Sequence, residues 1–418
     1  MDAAGYHGIL SDIVTIATAS SEASKIAVAA NFLGSFSALI GRGAYQYIGD
    51  GICHARPFFL LVGRTGKSRK GTSEYTVRRI FDAAEALLEG HLPPLKRHEG
   101  GLSTGEGLGW SIRDKVEDDD GGDNGGTTDK RLYVVEAEFA SAMAAASRDK
   151  CTLSPTIRMV WDGKTIAPLV KNAAWAATDP HVVINGHITA AELLAKMTDV
   201  DALSGFLNRF VILHVVRPKL VPLPRRTEKE TIENMAKQVA EAVRFAIGDD
   251  VTAGNTLAVT LSPDAVKFWC GHYPALTAEE DGIAGALLVR TEIYCRMLAM
   301  IFALLDGTAL IEPPHIDAAL AWVNYWRDSV RYIFCTLAAK AEAERLQGAA
   351  ADILEFIGLH PGCSRTDITN AFKNRNSSQE IAGALNHLMN SAPPMVKFKK
   401  VPRPDGKAGS RKILYWVT

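Results

Sequence analysis

The sequence predicts an α/β core, a helical block after it and a separate basic domain at the C-terminus. Three observations carry that prediction. An apolar run, Phe58 to Val62, breaks at Gly63 into a loop of Gly, Arg, Lys, Ser and Thr, and helical spacing resumes through Tyr75, Val77, Ile80 and Phe81. Later β-branched runs end in polar residues at Glu136 and Glu138 and again at Asn185. From His360 onward ten Lys and Arg stand against three Asp and Glu, a net of +7 in a chain whose total is −1. Strand, glycine loop and helix in that order form the layout of a phosphate-binding P-loop.

Composition narrows the class. At 418 residues the chain has room for two or three domains, and 47% hydrophobic with 22% charged residues describes an ordinary water-soluble globular protein. Cys53, Cys151, Cys270, Cys295, Cys335 and Cys363 are scattered without a Cys-x-x-Cys pair. Neither a zinc site nor a disulfide framework follows, and a reducing cytoplasm is expected. Residues 1–5 lack a basic stretch followed by an apolar core, so no secretory signal is read. No apolar run approaches the ~18 residues of a membrane span. The greasiest segment, Gly285 to Leu305, carries Arg290, Glu292 and Arg296.

Taken in order, residues 1–50 read as an N-terminal helical segment, 51–222 as the α/β core, 223–346 as a helical lid and 347–418 as the C-terminal domain. Helical spacing fills residues 8–41. The glycine loop then admits two registers. Gly66-Lys67-Ser68 has the expected tripeptide, but Gly63 lies only three residues ahead of Gly66 instead of five. The other register takes Lys70 with Thr72 or Ser73, where the helix should begin, and is preferred. Gly63, Thr65, Gly66, Lys67, Arg69, Lys70, Gly71, Thr72 and Ser73 are the candidate nucleotide contacts. Glycines let backbone N–H groups approach phosphate oxygens, a lysine reaches the outer phosphates, and the Thr72 hydroxyl helps hold Mg²⁺.

Gly100 to Gly107 reads as a loop over the site, and the acidic, glycine-rich residues 117–130 as a solvated tip. Leu132 to Val135 leads into Glu136-Ala-Glu138, a strand end where paired carboxylates on one face serve Mg²⁺ and the attacking water; Glu136 is the candidate metal ligand. Asp162-Gly163 between β-formers reads as a hairpin turn, with Lys164 on a loop that touches DNA. His181 to Ile184 is a buried strand ending at Asn185, and Thr189-Ala-Ala-Glu192 is a capping box. His187, at that helix start, reads as structural. The Pro-rich stretch 218–226 leaves the core. Helices are expected over 231–247, 262–273, 285–305, 315–332 and 336–346.

Asn208-Arg209-Phe210, an apolar strand and then Arg217-Pro218 is similar to the arginine-finger segment of AAA+ proteins, especially the MCM-like helicase group. Arg-Lys-Gly-Thr in the loop, Glu-x-Glu-Phe and Gly-His-Ile-Thr also look like a P-loop ATPase family of phages, plasmids and integrated elements, often found with primase-polymerase domains. The resemblance covers residues 55 to 340. It implies an AAA+-like core binding ATP and Mg²⁺, with Asn185 sensing the terminal phosphate. Arg209 would reach into a neighbouring subunit's site in a homo-oligomeric ring such as a hexamer, and Arg290 in the lid would be the second sensor. A primase partner is a further implication.

The tail supplies the DNA-binding expectation. Three helices followed by two strands is the order of a winged helix-turn-helix. Arg375 sits where the recognition helix begins, and Lys399, Lys400, Arg403, Lys407 and Arg411 lie on the wing. The expected function is an ATP-dependent DNA motor, a helicase or replication-initiation ATPase of a mobile element. The alternative is a non-hydrolysing DNA-binding regulator with a degenerate P-loop.

Overall fold

The computed structural model describes residues 1–64, 68–115, 125–168, 175–197, 205–248, 254–391, 393–401 and 412–418. The chain divides into two units, Met1–Phe334 and Cys335–Thr418. The N-terminal helices, the α/β core and the helices beyond the Pro-rich stretch therefore share one unit, where the sequence suggested three segments.

The first unit is built on five parallel strands: β1 (Phe59–Gly63), β2 (Lys96–Glu99), β3 (Arg131–Glu136), β4 (His181–Thr189) and β5 (Val211–Val215). Their spatial order is β2-β3-β4-β1-β5. Strands β1 and β3 are buried throughout, as a parallel sheet covered on both faces requires. Register is set by Phe59 opposite Asn185 on one side and Val211 on the other, so all five strands point their carboxyl ends to one edge.

Helices α1 (Ile9–Ala19) and α2 (Lys25–Ile40) precede the sheet, as expected. Nearly every α2 residue is buried, because α2 lies on one face of the sheet beneath α3 (Tyr75–Leu87) and Lys229–Ile247. Strand alternation sends Asn185 toward α2 and Gly186 toward the opposite face, where Phe139 and Leu60 leave no room for a Cβ. That second face is covered by α4 (Gly105–Ser111), α5 (Phe139–Ala146) and α6 (Leu153–Asp162), with Pro313–Arg331 against β5.

Three local readings need correction. The hairpin expected around Asp162-Gly163 is the end of α6: Gly163 adopts φ 71°, and its N–H and that of Lys164 close the last turn. Asp-Gly marks a left-handed position, which serves a helix C-terminus as well as a hairpin. Leu153, Ile157, Val160 and Trp161 form the buried stripe that decides for helix. Likewise the glycine-rich loop after residue 100 turns into α4, capped by Thr104. The apolar helix expected over 285–305 is two helices, Gly282–Leu288 and Thr291–Leu305, which meet at Arg290.

The second unit contains Ala338–Leu359, Arg365–Phe372 and Ser378–Asn390, followed by antiparallel strands Val396–Val401 and Lys412–Val417. A two-residue strand, Cys363–Ser364, completes a three-stranded sheet on the other side of Lys412–Val417. Ile353, Ile357, Ile368, Phe372, Ile381, Leu385 and Tyr415 give this unit its own core. Among the described residues no helix is long and apolar enough to cross a membrane.

Candidate functional site

The carboxyl edge of the sheet opens into a cleft of about 500 Å³. Arg69, Lys70, Gly71, Thr72 and Tyr75 come from the loop after β1 and the start of α3; Ala137, Glu138 and Ser141 follow β3; His187, Thr189 and Glu192 lie at the end of β4. A crevice outside the carboxyl ends of parallel strands is the usual ligand site of an open α/β sheet. At its floor Gly63 must lack a side chain, because a Cβ there would come within 2.6 Å of Ser68 and 3.3 Å of the Lys70 ammonium.

Lys70 is half-buried; burial holds its ammonium below the usual lysine range, against the opposing pull of Glu192. His187 is 4% exposed, and its Nε2 has no hydrogen-bond partner among the described residues. Burial and the Lys70 charge push the ring down to about 4, so it stays neutral at physiological pH. Arg69 sits in the left-handed region at φ 54°, and its Nε donates to Glu22 at 2.7 Å. Glu22 also accepts from Val221 N–H and Arg217, so the segment between α1 and α2 braces this wall. Glu138 is exposed at the start of α5, and its carboxylate has no partner among the described residues. A half-buried ammonium, a hydroxyl, a neutral imidazole and an exposed carboxylate thus face one volume. That set suits a phosphorylated ligand with a bound cation.

The structure brings Gly63, Arg69, Lys70, Gly71, Thr72 and Glu138 of the expected site together. Thr65, Gly66 and Lys67 lie outside the described residues. Five others are elsewhere or turned away. Ser73 is 1% exposed and faces inward, donating to the Lys70 carbonyl. Asn185 is wholly buried at mid-strand, because β4 runs on to Thr189; its amide donates to Asn31 on α2 at 3.0 Å. Glu136 and Glu138 do not share a strand face, since β3 ends at Glu136. The Glu136 carboxylate accepts from Leu102 N–H at 2.9 Å and Glu138 N–H at 3.3 Å, anchoring the loop after β2 instead of standing open to a metal.

Arg209 and Arg290 depart furthest from expectation. Arg209 precedes β5 and so lies at the amino edge of the sheet, a strand length of about 13 Å from the cleft. It is 6% exposed, donates to the Gly205 carbonyl at 2.6 Å and pairs with Asp162 at 3.2 Å. Arg290 reaches Asn208 Oδ1 at 3.3 Å and stacks over Trp161 at 4.5 Å. Tyr294 completes the cluster, accepting from Phe58 N–H and Trp161 Nε1 while donating to the Arg209 carbonyl. Within the subunit Arg209 is held by Asp162 and Arg290 by Asn208, and neither lines this cleft.

On the second unit Arg375 is exposed in the turn before Ser378–Asn390, and Lys399 and Lys400 are exposed on Val396–Val401. Arg403, Lys407 and Arg411 lie outside the described residues. Lys164 is 70% exposed just beyond α6, 3.9 Å from Asp162. Among the described residues one group of metal-ligand type lies close together: His7, Asp306 and His315. His315 Nδ1 accepts the Glu312 N–H, so its Nε2 carries the proton and donates to Asp306. With His7 on the same carboxylate this is a hydrogen-bonded staple. His187, which the sequence reading took as structural, lines the cleft, and so does Tyr75. For His187 the signal was available, since it follows Asn185 by two residues on the same strand face. Comparison with known proteins finds no matching family model and no matching curated protein.

Proposed function

We propose that the cleft binds ATP with Mg²⁺ and that the protein is an ATP-dependent DNA-binding motor of the helicase or replication-initiation kind, acting as a homo-oligomer. The observation that carries this reading is the convergence of Lys70 and Thr72 from the loop after β1 with Glu138 from the end of β3. Lys70 would neutralise the outer phosphates, Thr72 would hold the cation, and Glu138 would take the proton of the attacking water. The alternating helices and parallel strands support a P-loop-type core. The second unit, with its three helices, three-stranded sheet and exposed Arg375, Lys399 and Lys400, has the order of a winged helix and would hold DNA.

A second reading, a DNA-binding regulator that does not hydrolyse ATP, is favoured by one finding: Glu136, Arg209 and Arg290 are all engaged in the fold. ATP turnover with and without DNA separates the two. The motor reading expects DNA-stimulated turnover that Lys70→Ala abolishes. Turnover lost in Lys67→Ala and kept in Lys70→Ala would reassign the loop register; no turnover in wild type, with DNA binding intact, would favour the regulator.

A further inference from the structure

The Lys70 turn is tied to the interior by a chain of hydrogen bonds that the proposed chemistry does not use. Asn185 Nδ2 on β4 donates to Asn31 Oδ1 on α2 at 3.0 Å, and Asn31 Nδ2 donates to Ser73 Oγ at 2.8 Å. The Ser73 hydroxyl donates in turn to the Lys70 carbonyl. Every donor points the same way, from the sheet toward the cleft, so each bond polarises the next. Asn31 and Asn185 are 0% exposed and Ser73 is 1% exposed. Gly34 makes room for the chain: a Cβ there would lie 2.8 Å from Asn185 Oδ1. That Oδ1 has no hydrogen-bond partner among the described residues. Apolar side chains of similar volume could serve stability as well.

We propose that Asn31 is a positioning residue: acting through Ser73, it holds the Lys70 carbonyl inward and thereby aims the Lys70 ammonium into the cleft. This rests on the nucleotide reading only for its functional consequence, because the aim of Lys70 is a property of the unliganded protein. In Asn31→Leu the Ser73 hydroxyl loses its donor. In Asn31→Asp the new carboxylate accepts from Ser73 and draws the hydroxyl away from the Lys70 carbonyl. Both leave α2 a buried side chain of nearly the same volume.

The test has two arms on the full chain, each variant first checked for a wild-type thermal transition. In the first, lysines are reductively methylated with ¹³C, and the Lys70 resonance, assigned by its loss in Lys70→Arg, is followed without nucleotide. The expected result is a shifted Lys70 signal in Asn31→Asp and Ser73→Ala with the other lysines unmoved; an unmoved Lys70 signal in a folded variant overturns the proposal. In the second, a fluorescent ATP analogue with Mg²⁺ is titrated. Misaiming the cation should weaken binding by about ten- to a hundredfold, and Ser73→Ala should have no further effect in a Lys70→Ala background. Losses that simply add would mean Asn31 and Ser73 act on the fold and not through Lys70, which also overturns it. A shifted Lys70 signal with no nucleotide binding in wild type would leave the positioning role standing and refute the nucleotide reading. If Asn31→Asp does not fold, Ser73→Ala decides.

Discussion

Two glutamates two residues apart, Glu136 and Glu138, should respond to the same exchange in opposite ways. In Glu138→Gln a solvent-facing carboxylate at the cleft is replaced by a neutral isostere, with no hydrogen bond lost among the described residues. If Glu138 is the general base, turnover should fall by ~10²- to 10⁴-fold. That corresponds to about 3–5 kcal/mol of activation free energy. Nucleotide affinity and thermal midpoint should stay at wild-type values. Glu136→Gln instead weakens a 4% exposed carboxylate that accepts from two backbone N–H groups. Exchanging charge-assisted for neutral bonds, with the new amide facing one donor, costs about 2 kcal/mol. For a unit of 334 residues, an unfolding entropy of ~2 cal/mol/K per residue turns that into a fall of about 3 °C. Steady-state ATPase rates beside calorimetric midpoints measure both. Turnover retained in Glu138→Gln but lost in Glu136→Gln at an unchanged midpoint would refute the assignment of Glu138 to the cleft chemistry.

Three further outcomes are expected. Asp162→Ala strands the Arg209 guanidinium at the amino edge of the sheet. Because Asp162 is a quarter exposed, the loss should be about 2–3 kcal/mol by urea unfolding, with nucleotide affinity unchanged at the opposite edge. Burial pushes His187 down to about 4 and His54 down to about 3, so both stay neutral in the fold while the unfolded chain protonates near the ordinary 6.5. Protons then favour the unfolded state below that value. Their contribution to stability is flat above pH 6.5 and declines as pH falls toward 4, by up to ~1.4 kcal/mol per unit for each histidine; His187→Gln should remove one histidine's share of the slope in urea titrations. Finally, Lys399→Ala with Lys400→Ala should weaken DNA binding and reduce the slope of log affinity against log salt by ~1 for each phosphate contact removed; an unchanged slope would exclude that strand from the interface.

What the sequence disclosed depended on whether a residue's role was local. The strand–glycine–helix layout, α1 and α2, and the three helices and two strands of the second unit follow from periodicity and turn residues within a few positions. Strand β2, Lys96–Glu99, offered no such pattern, being charged and mostly exposed at the edge of the sheet. The short hairpin of Ala44–Ile48 and Gly51–His54 was readable in Gly49-Asp50-Gly51 and was overlooked. Asn185 was misassigned because a polar residue in an apolar run reads as a strand end; here α2 supplies an internal partner, Asn31, from 154 positions away. The contacts of Arg209 and Arg290 within the subunit were hidden for the same reason. Their partners, Asp162, Trp161 and Asn208, are brought beside them by α6 and by the break before Thr291–Leu305, and neither juxtaposition leaves a local trace.

The inward turn of those two arginines bears on how the cleft can work. Among the described residues its cations are Lys70 and Arg69, and Arg69 is already paired with Glu22. A triphosphate with one Mg²⁺ still carries negative charge that grows on the outer oxygens during transfer, and phosphoryl-transfer enzymes gain 10³–10⁵-fold from an added guanidinium there. On this set alone turnover should lie toward the slow, intrinsic end. Arg69 is the nearest reserve: half-exposed, held at a left-handed φ, and bound to a glutamate that also receives Arg217 and the Val221 N–H from the chain leaving β5. Phosphate competing for Arg69 would loosen one of three attachments to Glu22, and the other two lead directly to the segment after the last core strand. If ATP binds in the cleft as proposed, withdrawing Arg69 from that junction would couple occupancy of the cleft to the Pro-rich exit of the sheet.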